Sequence, residues 1–267
     1  MNTLRFALLI SALALASNAF AAPSITTTSY GITKEVSYTQ DSSSDPALTA
    51  NPYRLTAFLN SDSSSPMYSF TPPGQSTQSF GSGGYSSTRY SNLTDFNTAY
   101  PNGTYTMSDG QHTPSLNPLL GDAYPAVGKI LGGSWSGGAL LVNATQNYTL
   151  NFSGIPFPTA DDSVGLVFEN SISHATQSYF PASNASSCLI TGGTLVDGET
   201  YNVTVRLNHN FINYGVALMG TTGSASYTTL NTFQITAIPE PSTYAAILGA
   251  SALVGVMIQR RRRALAA

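Results

Sequence analysis

The sequence predicts an all-β body, a β-sandwich or jelly roll, flanked by an N-terminal signal peptide and a single C-terminal transmembrane helix. Three observations carry this. Charged residues are only 9% of the 267-residue chain, against about 25% in average soluble proteins. Gly, Ser, Thr and Asn take their place, which disfavours helical surfaces built from Glu, Lys, Arg and Gln and favours strands joined by turns. Several short segments also alternate apolar and polar residues with the period of two that a half-buried strand requires.

Residues 1–21 begin with Arg5, continue through the apolar run Phe6 to Ala16 and close on Ala19-Phe20-Ala21. That three-part layout is a secretory signal peptide with cleavage after Ala21.

The exported body is expected over 22–236. Asp41 to Asp45, Ser61 to Pro66 and Thr71 to Gly84 are rich in Ser, Gly and Pro and read as loops. Turn signals at Pro101-Asn102-Gly103, Asp109-Gly110 and Asp197-Gly198 point to hairpins. Pro114 to Gly138 has scattered apolar residues only, and is either a long connection in one continuous domain, the favoured reading, or a boundary between two β units near residue 140. Strand faces follow: Tyr148, Leu150 and Phe152; Tyr201, Val203, Val205 and Leu207; Phe233, Ile235 and Ala237. Val164 to Phe168 and Tyr214 to Met219 are apolar on both faces and fit central strands.

Between the two ends lie five basic residues (Lys34, Arg54, Arg89, Lys129, Arg206) against twelve acidic ones, a net charge of −7. A body so poor in cations is no partner for nucleic acid, because phosphate neutralisation needs clustered Lys and Arg.

Candidate chemistry in the body is sparse. Cys188 is the only cysteine, so neither an intramolecular disulfide nor a thiolate zinc cluster forms, and it reads as a buried or unpaired thiol. His112, His174 and His209 sit in no metal-binding spacing, and His209, among Asn208, Asn210 and Asn213, reads as part of a polar turn. Gly133-Ser134-Trp135-Ser136-Gly137 has Trp where a nucleophile elbow needs Ser, and Trp135 reads as core rather than as a sugar platform. Asp161 and Asp162 with Glu169 are the best carboxylate group. Along a strand, Glu169 would stand about 17 to 20 Å from the aspartates, too far for a glycosidase pair, so a solvated turn is expected. Seven Asn-x-Ser/Thr triplets arise in a chain rich in all three residues and add no functional weight. No cofactor, metal or catalytic residue is expected.

The C-terminal end is more specific. Pro239-Glu240-Pro241 precedes the uncharged stretch Tyr244 to Ile258, then Gln259 and Arg260, Arg261, Arg262 and Arg263. As a helix, Ser242 to Gln259 would extend about 27 Å, near the hydrocarbon thickness of a bilayer. A transmembrane helix is therefore expected over 243–259, with the arginines held in the cytoplasm and all upstream residues outside. The two prolines make the preceding residues an extended segment that a processing enzyme can grip.

A Pro-Glu-Pro motif, one apolar span and a terminal Arg cluster, in that order, resemble the PEP-CTERM sorting signal of exported bacterial proteins; here it covers 237–263. The resemblance implies that Pro239, Glu240 and Pro241 are recognised by an exosortase-like membrane enzyme. It also implies export to the surface or extracellular matrix of an exopolysaccharide-producing, biofilm-forming bacterium. The expected function is a non-enzymatic surface or matrix protein, with extracellular polysaccharide a candidate partner. The alternatives are a secreted carbohydrate-binding module and, behind it, a secreted hydrolase.

Overall fold

The computed structural model describes residues 27–61, 67–110, 113–116, 118–119, 121–153, 162–182, 185–214 and 222–265. Side chains are described throughout these except at 27–28, 61, 213–214, 222, 241–247, 260 and 262–265. The expected signal peptide, His112, Asp161 and residues 215–219 of the expected strand after Tyr214 lie outside the described residues.

Within them the chain is all-β. In order come β1 (Thr27–Thr39), β2 (Ala47–Ser61), β3 (Tyr68–Thr71), β4 (Gln78–Phe80), β5 (Tyr85–Ser86) and a short helix, α1 (Leu93–Ala99). Then follow β6 (Thr106–Ser108), β7 (Ile130–Leu131), β8 (Ser134–Ser136), β9 (Ala139–Asn143), β10 (Tyr148–Phe152), β11 (Ser163–Asn170) and β12 (Thr176–Tyr179). β13 (Ser187–Ile190), β14 (Thr200–Tyr214), β15 (Thr222–Ile238) and the terminal helix α2 (Pro241–Leu265) complete the chain.

One large sheet organises the molecule, in the order β12-β11-β14-β15-β1-β2-β5. The long strand β15 is its axis. It pairs antiparallel with β14 on one side, and on the other it pairs parallel with β1, from Ser29↔Thr222 to Thr39↔Thr232. Where β1 ends, β9 takes over along β15, also parallel, from Gln234↔Ala139 to Ile238↔Asn143. Two small sheets, β13-β10-β7 and β4-β3-β6, stand apart from it.

Period-two alternation decides where the core lies. Ala225, Tyr227, Phe233, Ile235 and Ala237 occupy one face of β15 and are all buried. The last three join Val203, Val205 and Leu207 of β14 and Leu150, Phe152 and Ile190 of the small sheet β13-β10-β7 in one apolar cluster. Ala225 and Tyr227 join Tyr30 and Ile32 of β1, Leu55 of β2, and Phe70, Phe80 and Met107 of the small sheet β4-β3-β6 in a second. Both small sheets thus cover the same face of the large sheet, side by side, and each is anchored by fully buried side chains that stabilise the fold by about 1.5–3 kcal/mol apiece.

Between the two clusters runs a buried polar seam. Asn231 donates to Gly128 O at 2.9 Å, Thr229 to Pro125 O at 2.6 Å and Gln40 to Ile130 O at 3.0 Å, while Ile130 N–H donates back to Gln40 Oε1 at 2.8 Å. These side chains satisfy the backbone of the connection 125–130 as it crosses the sheet, which a buried non-strand segment requires. The stretch Pro114 to Gly138 is therefore tied down along its middle, and the change from one cluster to the other falls between Tyr124 and Ile130.

Several expectations are corrected. The proposed loop Thr71 to Gly84 contains β4, which pairs with β3. A helix, α1, appears where the sequence suggested only strands and turns. Asn92 caps it by accepting the Asp95 N–H at 2.8 Å, and Phe96, fully buried, pins its inner face against Tyr53. Pro101-Asn102-Gly103 closes no local hairpin, since Gly103 bridges to Leu119 instead. His209 lies within β14 rather than in a turn, its ring edge-on to Phe211 at 4.6 Å.

The expected span 243–259 is helical throughout as part of α2. Among the described residues, however, no helix is long and apolar enough to cross a membrane. The first five side chains of the expected span lie outside the described set, and the run from Leu248 to Gln259 alone is shorter than the ~20 apolar residues a bilayer takes. Leu248, Leu253, Val254, Val256, Met257 and Ile258 of this helix are all exposed.

Candidate functional site

The Pro239-Glu240-Pro241 segment sits where the large sheet ends. β15 runs to Ile238, Pro239 and Glu240 form a two-residue link, and Pro241 is already the first residue of α2. Proline suits that place, because its fixed φ matches the helix and its missing N–H would have no partner there. Of the segment expected to be extended, Ile238 is the last residue of β15 and Pro241 is already helical. Glu240 Oε1 accepts from Thr145 Oγ1 at 2.8 Å and from Gln146 Nε2 at 3.2 Å, fastening the link to the β9–β10 turn. In the Arg cluster, Arg261 is exposed, and the side chains of Arg260, Arg262 and Arg263 lie outside the described residues.

The body's candidate residues do not converge. Asp162 is buried rather than solvated: it accepts the Asn210 N–H at 2.9 Å and lies 2.9 Å from His209 Nδ1. Glu169 pairs instead with His174 Nδ1, at 2.8 Å, on the exposed turn between β11 and β12. Cys188 is buried, which raises its thiol pKa above the ordinary value and works against thiolate chemistry. Trp135 packs on Phe233 at 6.2 Å and donates to Gly132 O, so its ring covers the core. Among the described residues no three His, Cys, Asp or Glu side chains gather as metal ligands.

Two other constellations are built by residues the sequence did not flag. The first is a polar groove on the face of the large sheet opposite both small sheets. Two hollows of about 560 Å³ each follow one another along β1, one lined by Thr33, Glu35, Arg54 and Arg206, the other by Ser37, Thr39, Arg89 and Thr232. Its floor is a ladder of hydroxyl and amide groups: Thr33 to Ser226 at 2.8 Å, Thr228 to Asn208 at 2.7 Å, Thr204 to Thr232 at 3.3 Å. Arg54 Nε donates to the buried Glu35 carboxylate at 2.9 Å. Arg89 donates to Ser37 Oγ at 3.0 Å, and burial together with the neighbouring Arg54 holds its pKa below the usual guanidinium value, Glu35 opposing. Phe58, 40% exposed, borders the groove with its ring laid over Gly31, where a Cβ would meet ring carbons at 2.6 and 2.8 Å. Among the described residues that line these hollows, three of the body's five cations meet one acid, Glu35.

The second is a buried polar cluster inside the other face. Lys34, on the core side of β1, is fully buried. Its Nζ donates to Asn102 Oδ1 at 2.6 Å and Asn97 Oδ1 at 2.9 Å, and lies 5.2 Å from the centre of the Phe96 ring. Behind the two carboxamides stands Asp122, which accepts from Asn102 Nδ2 at 2.9 Å and from Asn97 Nδ2 at 2.9 and 3.1 Å. Tyr227 Oη donates to Asn102 Oδ1 at 2.8 Å.

The fold and these sites define an all-β protein with a polar, cation-bearing groove on one side of its main sheet and a packed, aromatic-rich core on the other. No family model and no curated protein matches the chain. Among solved structures it is similar to a biofilm-associated protein BSP domain, at 10% identity and a TM-score of 0.24 over 81% of this chain. It is also similar to a 1.5-MDa bacterial ice-binding adhesin, at 12% identity and a TM-score of 0.22 over 79% of this chain. The matched parts make up 29% and 66% of those chains.

Proposed function

We propose that this chain is an exported, non-enzymatic protein of the cell surface or extracellular matrix, a β-sandwich-like body carried on a PEP-CTERM sorting tail. In this reading Pro239, Glu240 and Pro241 are gripped by an exosortase-like membrane enzyme. The helix over 243–259 holds the chain in the membrane until that step, and Arg260 to Arg263 stay in the cytoplasm. The observation that carries it is the junction: the axial strand of the body passes, through two residues, into a helix that exposes Leu248, Leu253, Val254, Val256, Met257 and Ile258. A helix apolar around its circumference and ended by cations suits a bilayer better than water.

The test is fractionation of the producing cells. Replacing Pro239, Glu240 and Pro241 by Ala should leave the protein in the membrane fraction at its unprocessed mass, with the wild type released or surface-bound and shorter. Equal mass and equal release for both would refute processing at this motif.

A second reading, carbohydrate binding, is favoured by the groove. Its hydroxyl and amide floor matches the hydrogen-bonding groups of a sugar chain. Arg89 and Arg206 present guanidinium forks suited to carboxylates, so the saccharide this face would take is an acidic one.

A further inference from the structure

We propose that Lys34 and Asn102 condense within the folded chain into an intramolecular amide bond, with Asp122 as the catalytic proton carrier. A lysine ammonium taken out of water costs several kcal/mol unless paired, yet the fully buried Lys34 meets carboxamide oxygens at 2.6 and 2.9 Å as its hydrogen-bond partners. Lysine can only donate and a carboxylate can only accept, so both carboxamides are oriented without ambiguity: oxygen toward Nζ, nitrogen toward Asp122. An amine, a carboxamide carbon and a carboxylate touching the leaving nitrogen are the parts of a transamidation. Burial draws the Lys34 pKa down to about 8, the Asp122 charge opposing, so part of the amine is neutral and nucleophilic near neutral pH.

The step balances without any co-reactant. The Nζ lone pair attacks Asn102 Cγ, and the carbonyl electrons move onto Oδ1. There Tyr227 Oη, already donating at 2.8 Å, stabilises the developing charge. Asp122 takes a proton from the attacking nitrogen and delivers it to Nδ2, from which it accepts at 2.9 Å. The Cγ–Nδ2 bond breaks and ammonia leaves; one amine and one primary amide become one secondary amide. Asn102 rather than Asn97 is the acceptor because its oxygen lies nearer to Nζ and carries the Tyr227 donor. Asn97 positions Asp122 through two hydrogen bonds. Phe96 beside Nζ and the edge-to-face pair Tyr124–Tyr227, 4.8 Å apart, exclude the water that would compete.

The inference does not depend on how the tail is sorted, and the full chain tests it. The purified protein should be lighter than its sequence, after any signal-peptide removal, by the mass of one ammonia. Tryptic digestion should yield a branched peptide joining the segment around Lys34 to the segment between Arg89 and Lys129 through Asn102. Asp122→Asn should keep that ammonia while folding, and if this variant does not fold, the wild-type mass and branched peptide decide alone. Full sequence mass in a folded wild-type protein, a branch at Asn97, or a folded Asp122→Asn variant that still loses ammonia would each overturn the assignment.

Discussion

Burial around Lys34 sets an alkaline limit on stability. Tyr105, Tyr124 and Tyr227 have pKa values raised by burial first and by neighbouring phenols or Asp122 second. In the unfolded chain they ionise near 10, while in the folded protein they stay protonated. The folded state then binds more protons, so stability is fully present below pH 10 and falls as pH rises beyond it. Lys34 works in the opposite sense if its amine is free. Lowered to about 8 from 10.5, it makes the unfolded chain bind the extra proton, and stability climbs between pH 8 and 10.5. Condensed into an amide it contributes no such climb. A melting-temperature profile from pH 7 to 11 should therefore be flat to about pH 10 and then decline; a rise from pH 8 to 10 would show a free amine. The interior position of Lys34 was readable in principle, since Tyr30, Ile32, Lys34 and Val36 fall on one face of a period-two strand. Its partners were not, because Asn102 and Asp122 come from turns whose approach only the fold decides. Asp162 was misjudged for the same reason: two adjacent acids imply solvent until a histidine 47 residues away closes over one of them.

At the scale of single elements, the alternating strands were the most legible. The predicted faces of β10, β14 and β15 are the ones turned to the core, with Tyr148 of β10 half-buried at its rim, because one apolar layer covers each and no competing pattern intervenes. α1 was missed: its seven residues are too few to show a helical period, and its one local sign was the cap from Asn92 to Asp95. The groove was illegible because it is assembled from the polar faces of β2, β1, β15 and β14, each of which reads alone as ordinary exposed surface. Its charge pattern leads to a concrete expectation. Arg206 is exposed and Arg89 donates to a hydroxyl, so Arg206→Ala and Arg89→Ala should fold normally while weakening binding to a uronate-bearing polysaccharide roughly tenfold each. The loss should shrink at high salt. Titration calorimetry against acidic and neutral glycans of equal length checks this, and equal affinity for the two would discard the anionic reading.

Over the whole molecule, the all-β class was written locally in composition and turn residues, whereas topology was not. Short antiparallel hairpins were the natural expectation, yet β1 pairs in parallel with β15 across nearly the entire chain. Thr33 meets Ser226, 193 positions further along the chain, a partnership that leaves no mark in either segment. That pairing has a mechanical consequence. Tension drawn through the start of β1 and the end of β15 pulls two neighbouring parallel strands in opposite directions along their length. Eleven residue pairs, Ser29↔Thr222 through Thr39↔Thr232, then share the load in shear and cannot be peeled one at a time. Single-molecule stretching between the start of β1 and the end of β15 should give a high rupture force, sharply reduced when the same body is pulled through the β1–β2 turn, so the strand order makes the body most resistant along the line of its parallel pair.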